Sequence, residues 1–581
     1  MKYSKRILKK TQKEDRKSEN LLESTRGITL IALVITVIVM LILAGVAISI
    51  LTDDGGLFDK TRGAAETYQN AAEREAKQLN TLMNEVDQYL AGIPVTENPE
   101  TKLPLTEQEI KERTSGSWNG KVNTPQLATG MTAVYWDEAG EEKELTSSSS
   151  KAEWNKWYSY VAQTGTTATT GSGTSKWANA ITKDENGNIT GYWVWIPRYE
   201  YKLAEPSNGE NAGTITVNFI SIDKTTETEG YKIHSAFINN PEIGGWDSEL
   251  PGFWVAKYEA GYQKSTVNSS GIVQNASDTV VYSNLKYTNP YSSYTNALGQ
   301  NLSTSSSAYA SQNISYPVFK PLTYAYNCIN IDGMFRISRD IKNKTSLYGL
   351  TGITDSHLMK NSEWGAVAYL AWSQYGRNGT KPNINNVNLN NKNRNIYAVT
   401  GMVAEGVNIA STSGSFTGNA YNTETGQLGS TTGNITGVYD MNGGLFEYVA
   451  AYINNTTGAT DRNTYAASLV ATGLASKYRT IYPHNAKSDT TSNNWVATKD
   501  STIYGDAVTE TSSSSSQSGS WNSERAMFPQ TGDSFFLRGG DFFAAGGAGL
   551  FSFDGQWGEA FNVNGIASVR YGFRVCLVAE S

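Results

Sequence analysis

Two cysteines and three histidines are the residues of this 581-residue chain best suited to nucleophilic, redox or metal chemistry. Cys328 and Cys576 can form at most one disulfide, so no disulfide-stapled scaffold is expected. Buried, inert thiols are the plainer expectation for both, because free cysteine is among the most buried residue types. His234, His357 and His484 are scattered and offer no metal-ligand spacing. Asp and Asn are abundant, yet no spaced Asp-x-Asp-x-Asp-Gly loop is evident. The sequence therefore assigns no metal and no cofactor, and leaves Ca²⁺ open. Charged residues make up 18% of the chain, the net charge is −7, and Lys and Arg do not cluster in its body. A nucleic-acid partner, which needs a concentrated basic face, is not expected.

Residues 1–27 hold nine Lys/Arg against four Asp/Glu, and an uncharged apolar run then extends from Ile28 to Leu51. As a helix this run would rise about 36 Å, enough to cross a bilayer core. The basic flank predicts that the amino side stays in the cytoplasm, with the body outside at the cell surface. Beyond Gly56, apolar residues from Tyr68 to Leu90 recur at steps of three or four, and Gly92 and Pro94 end the pattern. Residues 93–189 read as a linker with a small β-containing region, including a strand near Ala133–Trp136. From about residue 190, short aromatic and β-branched runs, Tyr192–Ile196 and Gly252–Glu259, read as strands. The stretches 264–315 and 376–435 read as long loops. Leu358–Leu370 reads as a helix with Ser362 as its cap.

The junction Ser24-Thr25-Arg26-Gly27 followed by ITLIALVIT resembles the prepilin leader of type IV pilins and pseudopilins. That resemblance implies cleavage between Gly27 and Ile28 by a prepilin peptidase, and other pilins as partners. The family's usual Glu at the fifth mature position is Ala32 here, which weakens the case for polymerisation.

Three carboxy-terminal segments carry a second resemblance: GVYDMNGGLFEYVAAY from Gly437, FFLRGGDFF from Phe535 and YGFRVCLV from Tyr571. In this order they resemble the formylglycine-generating-enzyme (sulfatase-modifying-factor) family, which has a C-type-lectin-like architecture. Gly437, Asp440, Met441, Gly443 and Glu447 match its first motif, while Gly444 and Tyr448 replace its Asn and Trp. The enzyme branch relies on cysteines between the RGG and GFR motifs, and this chain has none there, so catalysis of that type is not expected. Arg538 and Arg574 are expected to tie loop carbonyls and carboxylates together.

The interval 541–571 mixes large aromatics, small residues and acids without helical or strand periodicity. It resembles the variable region of diversity-generating retroelement target proteins. That resemblance implies a ligand-binding set of Asp541, Phe542, Phe543, Ala544, Ser552, Asp554, Trp557, Phe561, Val563, Ser568, Val569 and Tyr571. Exposed aromatics among them would serve as binding anchors for a protein or glycan ligand. The fold class expected is α+β: a long pilin-like transmembrane helix (28–92, with 28–51 in the membrane) followed by a β-rich C-type-lectin-like domain over 190–581. The function expected is recognition without chemistry. A minor pilin with an invariant head, and an enzyme of the formylglycine-generating type, are the alternatives.

Overall fold

The computed structural model describes residues 102–163, 175–204, 212–262, 316–327, 329–351, 354–386, 388–391, 395–409, 418–455, 459–483, 502–529, 533–555, 563–568 and 570–579, with a short strand pair at 294–295 and 301–302. The chain divides into two compact units, Met1–Pro99 and Glu100–Ser581. The leader, the apolar run 28–51, the helical pattern to Leu90 and the Gly27–Ile28 junction all lie outside the described residues. Among the described residues no helix is long and apolar enough to cross a membrane. The longest has 12 residues and rises about 18 Å, against the roughly 30 Å of a hydrocarbon core. The expected fold class, led by a membrane-spanning helix, is therefore corrected to a mixed architecture of short helices and two larger sheets.

The strands of those sheets are β1 (Met131–Trp136), β2 (Glu142–Glu144), β3 (Asn179–Lys183), β4 (Ile189–Pro197), β5 (Gly252–Ala256), β6 (Thr354–Leu358), β7 (Phe446–Ile453), β8 (Thr480–Tyr482), β9 (Ala526–Met527), β10 (Phe535–Gly539), β11 (Gly549–Asp554), β12 (Tyr571–Phe573) and β13 (Val575–Ala579). The first sheet is antiparallel, in the order β6-β13-β5-β4-β3-β1-β2. The second runs β8-β7-β10-β11-β9, with β12 parallel to β7. Because β3 pairs with both β1 and β4, strands β1–β3 belong to the same sheet as the segment that follows 190. A three-stranded antiparallel sheet accompanies them, with Tyr199–Ala204 at its centre between Thr214–Phe219 and Lys232–Ile233.

The three longest helices among the described residues are α1 (Glu107–Thr114), α2 (Ile331–Asp340) and α3 (Asn361–Trp372). Helix α1 is an exposed capping-box helix, with Thr106 and Glu109 satisfying each other's backbone amides. Every residue of α3 is buried, as expected of a helix that is apolar nearly all round. Its Trp364, Val367 and Leu370 share an apolar cluster with Val194, Val255 and Cys576 of the first sheet and Val449, Phe536 and Phe551 of the second. The Trp364 indole N–H donates to the Leu550 carbonyl at 2.8 Å. The helix expected over 358–370 thus starts later. Leu358 ends β6, Lys360 is the N-cap, and the Glu363 carboxylate accepts the Lys360 amide at 2.9 Å, so Ser362 is not the cap.

The chain passes from the second sheet to the first at Arg574, between β12 and β13. This crossing places the carboxy-terminal motifs at the seam of the molecule.

Candidate ligand-binding surface

Arg574 is fully buried and spends its donors on three elements. Its Nε and Nη2 donate to the two Glu447 oxygens at 3.1 and 2.7 Å, Nη1 to the Ala256 carbonyl at 2.8 Å, and Nη2 also to the Tyr439 carbonyl at 2.9 Å. Asp440 lies beside this pair in a left-handed conformation (φ 61°), its carboxylate accepting the Gly401 amide at 2.9 and 3.0 Å and the Asn385 side chain at 2.9 Å. A third acid, Glu259, accepts the Leu445 amide at 2.9 Å. Burial would pull the guanidinium down, but Glu447, Asp440 and Glu259 outweigh it and hold Arg574 above its ordinary value. Burial, reinforced by Glu447 and Asp440, pushes the Glu259 carboxyl well above the usual carboxylate range. One cation faces three carboxylates, and burial with its acidic neighbours disfavours the charged form of Glu259.

Gly444 fits this arrangement. With φ at 77°, a Cβ there would stand 2.2 Å from Glu259 Oε1. Glycine at this position thus leaves room for the third buried acid.

Arg538 is also fully buried. It donates to the carbonyls of Asp506 (3.3 Å), Ala507 (3.0 Å) and Leu550 (3.4 Å) and to Asn361 Oδ1 (3.4 Å). Gly539 and Gly540 follow with φ of 82° and 71°, a pair of left-handed residues that turns the chain out of β10. A Cβ on Gly540 would meet Ala548 Cα at 2.5 Å.

The segment after this turn holds the residues expected to bind ligand, and the structure divides them. Phe543 and Ala544 are half-buried, as are Ala545, Gly546 and Gly547 in the turn that continues from them. Asp541, Phe542, Ser552, Asp554, Val563, Ser568 and Tyr571 are buried. Trp557, Phe561 and Val569 lie outside the described residues. Phe542 and Tyr571 are therefore not exposed anchors. Phe542 turns inward because its amide donates to the Gly444 carbonyl at 3.0 Å, and its ring enters a small core with Ala325, Ala398 and Leu445. Tyr571 opens β12, pairs with Phe446 and packs edge-on against Tyr448, with ring centroids 5.2 Å apart. Burial pushes its hydroxyl well above its ordinary pKa.

Two Asp–Arg pairs support this segment. Asp541 is bound by both Nε and Nη2 of Arg570, and Asp554 by Arg525. The Arg570 guanidinium stands 5.4 Å from the Phe543 ring centroid and 5.7 Å from that of Phe446, within cation–π range. Burial pushes Asp541 up even against Arg570. Nearby Asp533 is pushed up to about 7 by burial and by the charges of Asp554 and Asp461. What the structure brings together is thus a half-buried Phe543–Gly547 turn flanked by two nearly covered arginines.

Sequence pattern singles out neither Glu259, Arg525 nor Arg570. The available signal is an ionic residue inside or beside an aromatic run: Glu259 after FWVAKY, and Arg570 before YGF. It also misses a wholly buried cluster behind β6. There the His357 Nε2–H donates to Glu363 Oε1 at 2.9 Å, and Lys360 Nζ lies 3.5 Å from the same oxygen. Cys576, directly opposite His357 in the β6–β13 register, completes it. Comparison with protein-family models finds no match for this chain, and comparison with curated proteins finds none either.

Proposed function

We propose that this chain is a surface-displayed binding protein that recognises a protein or glycan ligand without transforming it. The contact region is the segment that follows the Gly539–Gly540 turn. One observation carries this reading. The motif residues Asp440, Glu447, Arg538 and Arg574 are buried and bonded to one another or to backbone, whereas Phe543–Gly547 is half-exposed on the frame they build. A rigid frame with a small exposed aromatic turn is suited to recognition, because substitutions on such a turn change contacts at little cost in stability. The prepilin-like junction at Gly27–Ile28 supports display at the cell surface. The resemblance to retroelement target proteins supports diversification of 541–571.

Sequencing the 3′ end of the gene and its flanks across sibling isolates tests this. Changes confined to codons 541–571, matched to adenines of a nearby near-copy beside a reverse-transcriptase gene, are the expected result. An invariant segment without a template copy overturns the diversified reading. A specific observation favours a second reading in that event: seven of the twelve candidate positions are buried, which suits an invariant head of a minor pilin or adhesin.

A further inference from the structure

We propose that His357, Glu363 and Cys576 form a buried site for a thiophilic divalent cation, with Zn²⁺ the ion their chemistry fits best. The three donor atoms come from three elements, β6, the first turn of α3 and β13, and all lie within 4.8 Å of one another. Across a tetrahedral zinc with ordinary bond lengths, ligand atoms stand about 3.3–3.7 Å apart. Adjustments of about 1 Å or less therefore bring the set onto one ion. Thiolate, imidazole and carboxylate form a set of one soft, one borderline and one hard ligand, which suits zinc better than the all-oxygen-seeking calcium or magnesium.

The surroundings bear on this assignment in three ways. First, the His357 Nδ1 is buried without a hydrogen-bond partner, so no second bond locks the ring tautomer, and the Nε2 proton can move to Nδ1 to free a lone pair toward Glu363 and Cys576. Second, a cleft lies next to the cluster on the far side of Trp246, and none of the three ligands lines it. The Trp246 indole packs edge-on against His357 at 5.1 Å and lines this cleft of about 500 Å³ with Asp247, Glu249, Asp355 and Lys477. Asp355 lies two residues before His357 in β6, and its carboxylate is already paired with Lys342 at 3.7 Å and Lys477 at 3.6 Å. Third, a competitor is present. Lys360 Nζ, held by the Gly244 carbonyl at 2.9 Å and 4.3 Å from the Trp246 ring centroid, shares the Glu363 carboxylate.

Binding is a substitution with a defined balance. The Cys576 S–H bond breaks, its proton leaves to solvent, and a metal–sulfur bond forms. The ion's two charges are met by the thiolate and the Glu363 carboxylate. Because a bound ion takes the thiolate and not the thiol, binding releases this proton. Affinity accordingly rises with pH.

The test uses the purified full chain, stripped with a chelator and titrated with Co²⁺, then Zn²⁺. The expected result is one equivalent of Co²⁺ giving a thiolate-to-cobalt charge-transfer band, displaced by Zn²⁺, with proton release and a raised melting temperature. Cys576→Ser and His357→Gln each remove the band. Lys360→Met strengthens binding roughly tenfold or more, because a like charge near the ion is gone. Absence of the band in the wild-type chain overturns the proposal. So does a band that survives Cys576→Ser, since the metal would then sit on Cys328. If either ligand variant fails to give the wild-type melting transition without metal, the Lys360→Met chain decides: unchanged or weaker Co²⁺ binding refutes the site.

Discussion

Replacing Arg574 with Met tests the claim that one buried guanidinium holds the two sheets together. The change removes both hydrogen bonds to Glu447 and those to the carbonyls of Ala256 and Tyr439, while keeping an apolar side chain of similar length. Glu447 is then left buried beside Asp440 and Glu259 with no cation. Removing one partner of a buried ion pair costs about 3–5 kcal/mol, and the total stability of a folded protein is only about 5–15 kcal/mol. For a unit of about 480 residues the unfolding entropy is near 1 kcal/mol per degree, so the melting temperature should fall by about 3–5 °C in calorimetry. The loss should depend on pH in a defined sense. Without Arg574, the folded state holds Glu447 protonated at pH values where the unfolded chain has released that proton. Stability therefore falls as pH rises above the ordinary carboxyl value, and the penalty at pH 8 exceeds that at pH 5. Glu447→Gln placed on Arg574→Met should recover part of the loss at pH 8. A penalty below 1 °C, or one equal at both pH values, would refute the argument that the guanidinium is there to balance carboxylates.

Gly444→Ala should destabilise by about 1–3 kcal/mol, read as a lower urea midpoint, because the new Cβ meets Glu259 Oε1 at 2.2 Å in a left-handed backbone. The double change with Glu259→Ala should recover the part of that loss due to the clash, and no recovery would contradict the geometry. Asp533, pushed up to about 7 from an ordinary 3.8, binds a proton in the fold that the unfolded chain has already lost, so it subtracts stability progressively as pH rises from about 4 to about 7. Because the side chain is not wholly shielded from solvent, Asp533→Asn should gain only about 1–2 kcal/mol at pH 8 and nearly nothing at pH 4. Denaturation curves at the two pH values check both the sign and the size.

Strands were legible where aromatic and β-branched residues crowd between turns. Tyr192–Ile196 lies within β4, Ala133–Trp136 ends β1, and Cys576 lies on the last strand as a buried thiol. The reading of 252–259 as one strand ran three residues too far, because the chain leaves β5 after Ala256 to present Lys257 and Glu259 to buried partners. The motif arginines were legible as structural ties, since an Arg in a buried run must find acceptors. Their partners were not, for a plain reason: Arg574 reaches a carbonyl 318 positions away, and no local pattern encodes that contact. The His357–Glu363–Cys576 cluster was hidden for the same reason, because only the β6–β13 register sets Cys576 opposite His357. The exposure of Phe542 and Tyr571 was misjudged because absence of periodicity was taken for absence of burial. After two left-handed glycines the chain follows a turn, and a turn can direct a ring inward without any repeat.

The division within 541–571 constrains any account in which this segment varies. A substitution at Phe543 or Ala544 alters a half-exposed turn and costs little. One at Asp541 leaves Arg570 without the carboxylate oxygen that both its Nε and Nη2 approach, in a site where both are nearly covered, and one at Asp554 removes the carboxylate partner of Arg525. Each such loss is of the order of 3–5 kcal/mol, a large share of the total. Two classes of position therefore exist in one segment. Positions such as 543 and 544 are free to change their contacts, whereas 541 and 554 can change only to residues that still accept from a guanidinium. Unrestricted variation at 541 beside an unchanged Arg570 would mean that the Asp541–Arg570 pair does not hold the turn in place, and the frame proposed here would lose its support at that point.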